Sequence, residues 1–381
     1  MASAAFLVES VDLEGAERRR EPWRELCGRA LEANVFGEPG FLLNAARHLG
    51  EARKLEFLFA WQDGTKRELC GLMTLVAPKP FSFGVAQVWQ SEQAGLAALV
   101  LDRRSGEAAL NAAIDWLGEQ RPSIVGLFAP TLEATGPTVR LLEASAEAQG
   151  RAFLRTNMRQ RAMLSCARGG PGFEIALPGK RLKEWRRLRR RLEERGARFV
   201  SIDGAAAFGE PLERFLALES KGWKGRRGAP LAADPGRAAF ARALASDMAS
   251  QGRLRIDRLD LGEATIAAGV ILVSKDRAFY WKTAFDESFA EYSPGVLLTI
   301  ELSERQQRDA AIAITDSCAI ADHPMIDRLW PDRLSLVDCL VAIRPGAQAR
   351  LKRWVGRREL ARSAKEAVKG LVLPLIGRKR S

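Results

Sequence analysis

The chain has 381 residues, 47% of them hydrophobic, too many for one ordinary core and enough for two. Lys and Arg number 59 against 47 Asp and Glu, a formal +12, but residues 350–381 hold eleven Lys/Arg against two Glu, and residues 180–196 hold nine against three. The rest is near neutral, which argues against a nucleic-acid binder with basic charge spread over its folded surface.

The predicted elements begin with a meander: strands at Leu55–Trp61, Glu68–Ala77 and Phe83–Trp89, separated by Asp63-Gly64 and by Pro78 and Pro80. A helix at Ser105–Gln120, a strand at Ser123–Phe128, a helix at Pro137–Gln149 and a strand at Ala152–Ser165 follow. Strands first and alternation afterwards predict a mixed sheet with helices on its faces. The glycine-rich Cys166–Ile175 stretch reads as a linker.

The same order then recurs. A basic helix at Leu182–Arg195 precedes a strand at Arg198–Ile202 and helices at Pro211–Ser220 and Arg237–Gln251. Strands at Leu254–Leu261, Thr265–Ser274 and Ala278–Asp286 are joined by the tight turns Gly262-Glu263 and Lys275-Asp276, which require antiparallel hairpins. A helix opens at Pro294 with Ser293 as its N-cap, and strands at Ala311–Ser317 and Leu334–Ile343 close the unit. The expected division is an amino-terminal lobe, 1–168, a carboxy-terminal lobe, 169–345, and a basic tail, 346–381. The repetition is one of layout, without a repeat of residues.

The five cysteines are scattered and form no CxxC pair, so neither a disulfide framework nor a zinc module is expected, and no metal. The first residues do not read as a signal peptide, and no stretch reaches the roughly 20 apolar residues of a spanning helix. The expected place of work is the cytoplasm, against the inner face of the membrane.

The junction from the strand ending near Asp286 into the helix at Gly295 is the feature richest in mechanism. A helix N-terminus leaves backbone N–H groups unpaired and carries partial positive charge, and Gly295 allows close approach of a pyrophosphate. An ordinary capped helix is the competing reading, since neither a Walker sequence nor a GxGxxG is present.

Four separated motifs carry a resemblance: "ESKGWKGRRGAP" (219–230), "GRLRIDRLDLGEATIAAGVILV" (252–273), "FYWKTAFDESFAEYSPGVLL" (279–298), and Asp316 in a late strand. Together they resemble the GNAT-type acyltransferases of the cellulose-biosynthesis (CelD/BcsL-type) group, related to the FemABX aminoacyltransferases. "ANVFGEPGFL" (33–42) resembles the amino-terminal lobe of such proteins. The resemblance implies tandem GNAT-like lobes of mixed α/β (α+β) class, the amino-terminal one degenerate. It implies a donor, acetyl-CoA or another acyl-CoA, lying along Tyr280, Lys282, Thr283 and Ala284, with its phosphates at Tyr292, Ser293, Gly295 and Val296. The sequence departs from the ordinary GNAT Q/R-x-x-G-x-G/A loop, reading Tyr292-Ser293-Pro294-Gly295-Val296-Leu297 instead.

Acyl transfer needs a base for the acceptor and a proton donor for the leaving thiolate. Glu219 and His323 are the candidate bases, Asp316 or Asp327 a group to orient the imidazole, and Tyr280 or Tyr292 the proton donor. Core packing of Tyr280 and a simple strand end at Asp316 are the structural alternatives. Trp223, Lys224, Arg226 and Arg227 would meet an anionic small-molecule or glycan acceptor. The basic helix near residue 186 has a solvated-face reading and a functional one, in which it holds an anionic acceptor or, with aminoacyl-tRNA as donor, a tRNA. A non-catalytic scaffold of a polysaccharide-synthesis complex is the alternative to both enzymes. In the tail, Leu351, Trp354, Ala361, Ala364, Val368 and Leu371 recur near one helical face among Lys and Arg, the pattern of an interfacial helix on an anionic membrane, with disorder as the alternative.

Overall fold

The computed structural model describes residues 6–63, 67–77, 83–166, 179–222 and 230–377, with side chains of the last helix described to 364. In chain order the elements are β1 (Phe6–Val11), α1 (Leu13–Glu17), α2 (Arg20–Arg29), α3 (Pro39–His48), β2 (Leu55–Gln62), β3 (Glu68–Val76), β4 (Val85–Gln87), β5 (Leu99–Leu101), α4 (Gly106–Gln120), β6 (Gly126–Glu133), α5 (Pro137–Ala148) and β7 (Phe153–Ser165). The second half continues with α6 (Gly179–Glu194), β8 (Ala197–Asp203), α7 (Glu210–Lys221), α8 (Pro235–Ser250), β9 (Leu254–Leu261), β10 (Ala264–Ser274), β11 (Arg277–Phe285), α9 (Pro294–Arg308), β12 (Ile314–Asp316), β13 (Asp332–Ala342) and α10 (Gln348–Gly377).

The expected elements are present with shifted ends. The strand expected at 83–89 contracts to β4, while β1, β5 and the helices before residue 49 are additions. Of the expected linker only Cys166 falls within the described residues.

Among the described residues the strands form a four-stranded sheet, β1-β2-β3-β5, and a nine-stranded sheet, β4-β6-β13-β7-β12-β11-β10-β9-β8. The order at the centre is informative. β13, from the end of the second half, lies between β6 and β7 of the first, and β7 lies between β13 and β12 of the second. Each half therefore inserts its long last strand into the other, and β7 and β13 run antiparallel from Asp332↔Met163 to Val341↔Phe153.

The two halves repeat one plan around that pair. In the first, β4 runs parallel to β6 over Val85↔Gly126 to Gln87↔Phe128; in the second, β11 runs parallel to β12 over Arg277↔Ile314 to Phe279↔Asp316. This is a tandem arrangement of mixed α/β lobes, the fold class expected.

A large hydrophobic cluster crosses the halves, joining Trp23, Phe41, Phe57 and Trp89 to Phe215, Phe240, Phe279 and Trp281. Phe36 meets Phe279 edge to face at 5.1 Å between centroids, and Phe41 meets Phe240 at 5.2 Å. Edge-to-face contact suits the ring quadrupoles, so the inter-lobe contact is packed like a core.

The helices flanking the site start where the sequence places start signals. α8 has Pro235 in its first turn and Asp234 accepting from the Arg237 amide at 2.8 Å. α9 has Pro294 in its first turn, but Ser293 is left-handed (φ 50°) and makes no side-chain cap; its carbonyl accepts from Val296 and Leu297 instead.

Candidate active site

β11 and β12 stop pairing after Phe279↔Asp316, and the register of β10 against β11 slips by one residue between Ile271↔Tyr280 and Val270↔Lys282. Trp281 is the extra residue. A bulge of this kind bends its strand and re-aims side chains, here turning Trp281 and Lys282 to the same cavity. Among the described residues β11 and β12 make no further pair past Phe279, so the two parallel strands splay.

On the inter-lobe side of the splay lies a groove of about 520 Å³. The second half contributes Trp281, Lys282 and Cys318–Ala321; the first contributes Gln90–Gly95 and Thr131; β7 supplies Arg159–Arg161 and β13 Leu336. The groove thus opens beside the splayed β11 and β12, facing the first half at the central β7–β13 pair.

Its walls are braced. Trp281 Nε1 donates to the Gln93 carbonyl at 2.8 Å, tying the bulge to the first half. Gln90 Nε2 donates to the carbonyls of Ser91 and Ala94, and the Gln93 amide donates to Ser91 Oγ, so the 90–95 loop fixes its own shape. Gly95 admits Phe36: a Cβ there would stand 2.8 Å from the ring, which only glycine avoids. On the floor, Arg159 Nη1 donates to Asp338 Oδ1 at 2.8 Å, and Asp338 also accepts from the Thr131 amide and from Asn157.

Arg161 leads out of the groove into a buried ionic network. Its Nη2 donates to Asp316 Oδ2 at 2.6 Å and its Nη1 to the Gly95 carbonyl; Arg277 bridges Asp316 at 3.1 Å and Glu133 at 2.9 Å. Asp316 is wholly buried. Burial lifts its pKa, but the Arg161 and Arg277 guanidiniums outweigh that and hold the carboxyl below the usual range. Burial, with the Asp316 charge added, pushes the Cys318 thiol well up, which keeps it protonated and poorly nucleophilic.

The other sequence candidates occupy separate places. Tyr280 lies on the α9 side of the sheet, 6.2 Å from Trp330 between centroids, and its hydroxyl donates to Thr283 Oγ1 at 3.0 Å; burial raises its pKa. Tyr280→Phe is expected to cost about 1 kcal/mol in urea unfolding, the net value of one such bond. Ala284 is buried in the inter-lobe cluster. Tyr292 is buried, its hydroxyl accepting from Arg195 at 2.9 Å, with the Arg191 and Arg195 guanidiniums 5.1 and 5.3 Å from its ring centre. The basic helix α6 is therefore docked beside the Ser293–Gly295 junction, where Gly295 meets Phe285 and Met325 and Val296 is half-buried.

Glu219 is buried near the end of α7, where Oε2 accepts from the Leu231 amide at 2.8 Å. His323 Nδ1 accepts from the amides of Met325 and Ile326. Neither borders the groove, and Asp316 is bonded to Arg161 and Arg277. Trp223, Lys224, Arg226 and Arg227 lie outside the described residues. Of the candidates, the groove takes in Lys282. It adds Glu92, Gln93, Arg159, Arg161 and Cys318, which the sequence reading did not single out; the signal available was the unassigned stretch 90–104, which opens with Gln90-Ser91-Glu92-Gln93 and is long for a connection inside a compact lobe. Among the described residues no group of three or more His, Cys, Asp or Glu is placed to hold a metal, and no helix is long and apolar enough to cross a membrane.

The profile of the family described as "Acetyltransferase (GNAT) domain" matches residues 179–313, from α6 to the start of β12. No curated protein matches the sequence of the chain. Among solved structures, the C-terminal domain of a protein described as a lysylphosphatidylglycerol synthetase from Agrobacterium fabrum superposes with a TM-score of 0.54 at 11% identity, covering 88% of this chain and 94% of its own. FemX superposes with a TM-score of 0.51 at 10% identity over 90% and 99% of the two chains. A protein of unknown function from Bacteroides thetaiotaomicron does so at 0.51 and 11% identity over 89% and 99%. Such identities speak for the fold, which is shared over nearly the full length of each. The chain has a GNAT acyltransferase fold, with the Acetyltransferase (GNAT) domain itself matched over residues 179–313.

Proposed function

We propose that the protein transfers an acetyl or longer acyl group from acyl-CoA to an amine or hydroxyl of an anionic, envelope- or glycan-derived acceptor, with 1–168 and 169–345 as its two lobes. The splay at Phe279↔Asp316, beside which the groove opens, is the observation that carries this reading. The donor lies along β11 past Tyr280, with its phosphates at Ser293–Gly295 by the first turn of α9, where Arg191 of α6 and the following Arg195 stand close by. The acceptor enters from the groove, whose lining sets Arg159, Arg161 and Lys282 against the one acidic side chain Glu92.

Chemically, the acceptor's lone pair attacks the thioester carbonyl, the C–S bond breaks, and the thiolate leaves as CoA while the acceptor's proton passes to a base. Glu92, exposed at the groove and acidic, takes that role in this reading. Glu92→Gln is expected to lower kcat by about 10²-fold or more with donor affinity unchanged. The experiment is calorimetric titration with acetyl-CoA followed by thiol release in the presence of amino sugars and sugar phosphates. Heat of binding and acceptor-dependent thiol release support the reading. The absence of heat, with tRNA binding that weakens steeply with salt, would move the donor to aminoacyl-tRNA and overturn it.

A further inference from the structure

A second large cavity, of about 410 Å³, shares no lining residue with the groove. It lies at the β4 edge of the nine-stranded sheet, between β4, the ends of β3 and α4, and the first turns of α10. We infer that it seats an acyl chain of an anionic membrane lipid, with Arg357 and Arg358 at its headgroup.

The chemistry of the lining divides in two. Leu75, Val85, Ile124 and Trp354 make an apolar bed. Phe83, 55% exposed and held in a left-handed backbone (φ 51°), adds an aromatic that water does not favour. Over this bed stand guanidiniums fixed by rings: Arg357 is 4.5 Å from the Phe83 ring centre, and Arg358 is 4.3 Å from that of Phe128 and 5.4 Å from that of Trp354. Trp354, Arg357, Arg358 and Ala361 follow one another at helical spacing, so α10 presents one face to the cavity.

An apolar slot rimmed by cations matches an amphiphile with an anionic head. The commitment to a membrane lipid, in place of a dissolved fatty acid, comes from the rest of α10. It runs for 30 residues, and the 350–381 segment carries eleven Lys/Arg against two Glu, a charge that a single carboxylate leaves unmatched and an anionic surface matches. The inference is independent of the acyl-transfer reading, since the groove plays no part in it.

The test is cosedimentation of the full chain with vesicles of phosphatidylcholine containing about one third phosphatidylglycerol, against vesicles of phosphatidylcholine alone. Binding is expected only to the anionic vesicles. Phe83→Asp and Arg357→Glu, both at exposed positions, are expected each to weaken it by at least about tenfold with the thermal midpoint unchanged. Vesicle binding that survives Phe83→Asp would leave only a charged helix on a surface and overturn the seat. Uptake of dissolved oleate with no vesicle binding would overturn the membrane source. Circular dichroism of each variant separates a lost seat from a lost fold, and Phe83→Leu, which keeps the apolar bed, is expected to restore binding.

Discussion

Asp316→Asn is expected to lower the stability of the folded protein by about 3–5 kcal/mol, measured as a fall in the urea midpoint with an unchanged slope. The magnitude follows from what is left behind. Arg161 and Arg277 are 4% and 6% exposed, and Asp316, on no exposed surface at all, is the carboxylate they share. Neutralising it strands guanidinium charge in the core: among the described residues Arg277 is left with Glu133 as its carboxylate, and Arg161 with the neutral Gly95 carbonyl and amide oxygen in place of an anion. The pH dependence has a definite sign. Because the folded Asp316 carboxyl titrates below its unfolded value, its contribution is complete above about pH 4 and is lost as pH falls through the folded pKa. The gap between wild type and Asp316→Asn should therefore be widest near neutrality and close in acid. A gap independent of pH would show that packing, and not charge, sets the cost.

The position of that network also explains how much of the molecule was legible in the sequence. Local rules found the β9–β10–β11 meander, because Gly262 and Lys275 mark its turns, both now seen at positive φ. They found α9 through Pro294, but not the left-handed Ser293, which relinquishes the side-chain cap that its residue type suggested. The exchange of β7 and β13 left no local trace: the strands pair across some 180 positions, and alternation within each is the same whichever neighbour it takes. The groove was missed for the same reason. Its lining comes from 90–95, 131, 159–161, 281–282, 318–321 and 336, none of which is a motif by itself. Reading chemistry from single polar residues favoured Glu219 and His323, whose side chains accept from nearby backbone amides. The bulge at Trp281 was also silent, since one extra residue in a strand changes neither composition nor hydrophobic pattern.

Closing the groove from its exposed wall should separate donor from acceptor. Ala321 is exposed and lines the cavity beside Ile320, itself 75% exposed, so Ala321→Trp adds a large ring without displacing core. Acceptor-dependent thiol release is expected to fall by about 10²-fold or more, the scale of loss when a reacting group is held even slightly out of place. Acetyl-CoA binding by calorimetry should stay within about twofold of wild type, because the proposed donor path along β11 and the α9 terminus does not pass the groove's exposed wall. The pairing of outcomes is what discriminates. Loss of both functions would place donor and acceptor in one compartment and contradict a two-sided cleft, and loss of neither would remove the groove from the reaction. Loss of transfer alone leaves the inter-lobe groove as the acceptor's entrance, and with it a role in catalysis for the amino-terminal half, which supplies Gln90–Gly95 and much of the floor.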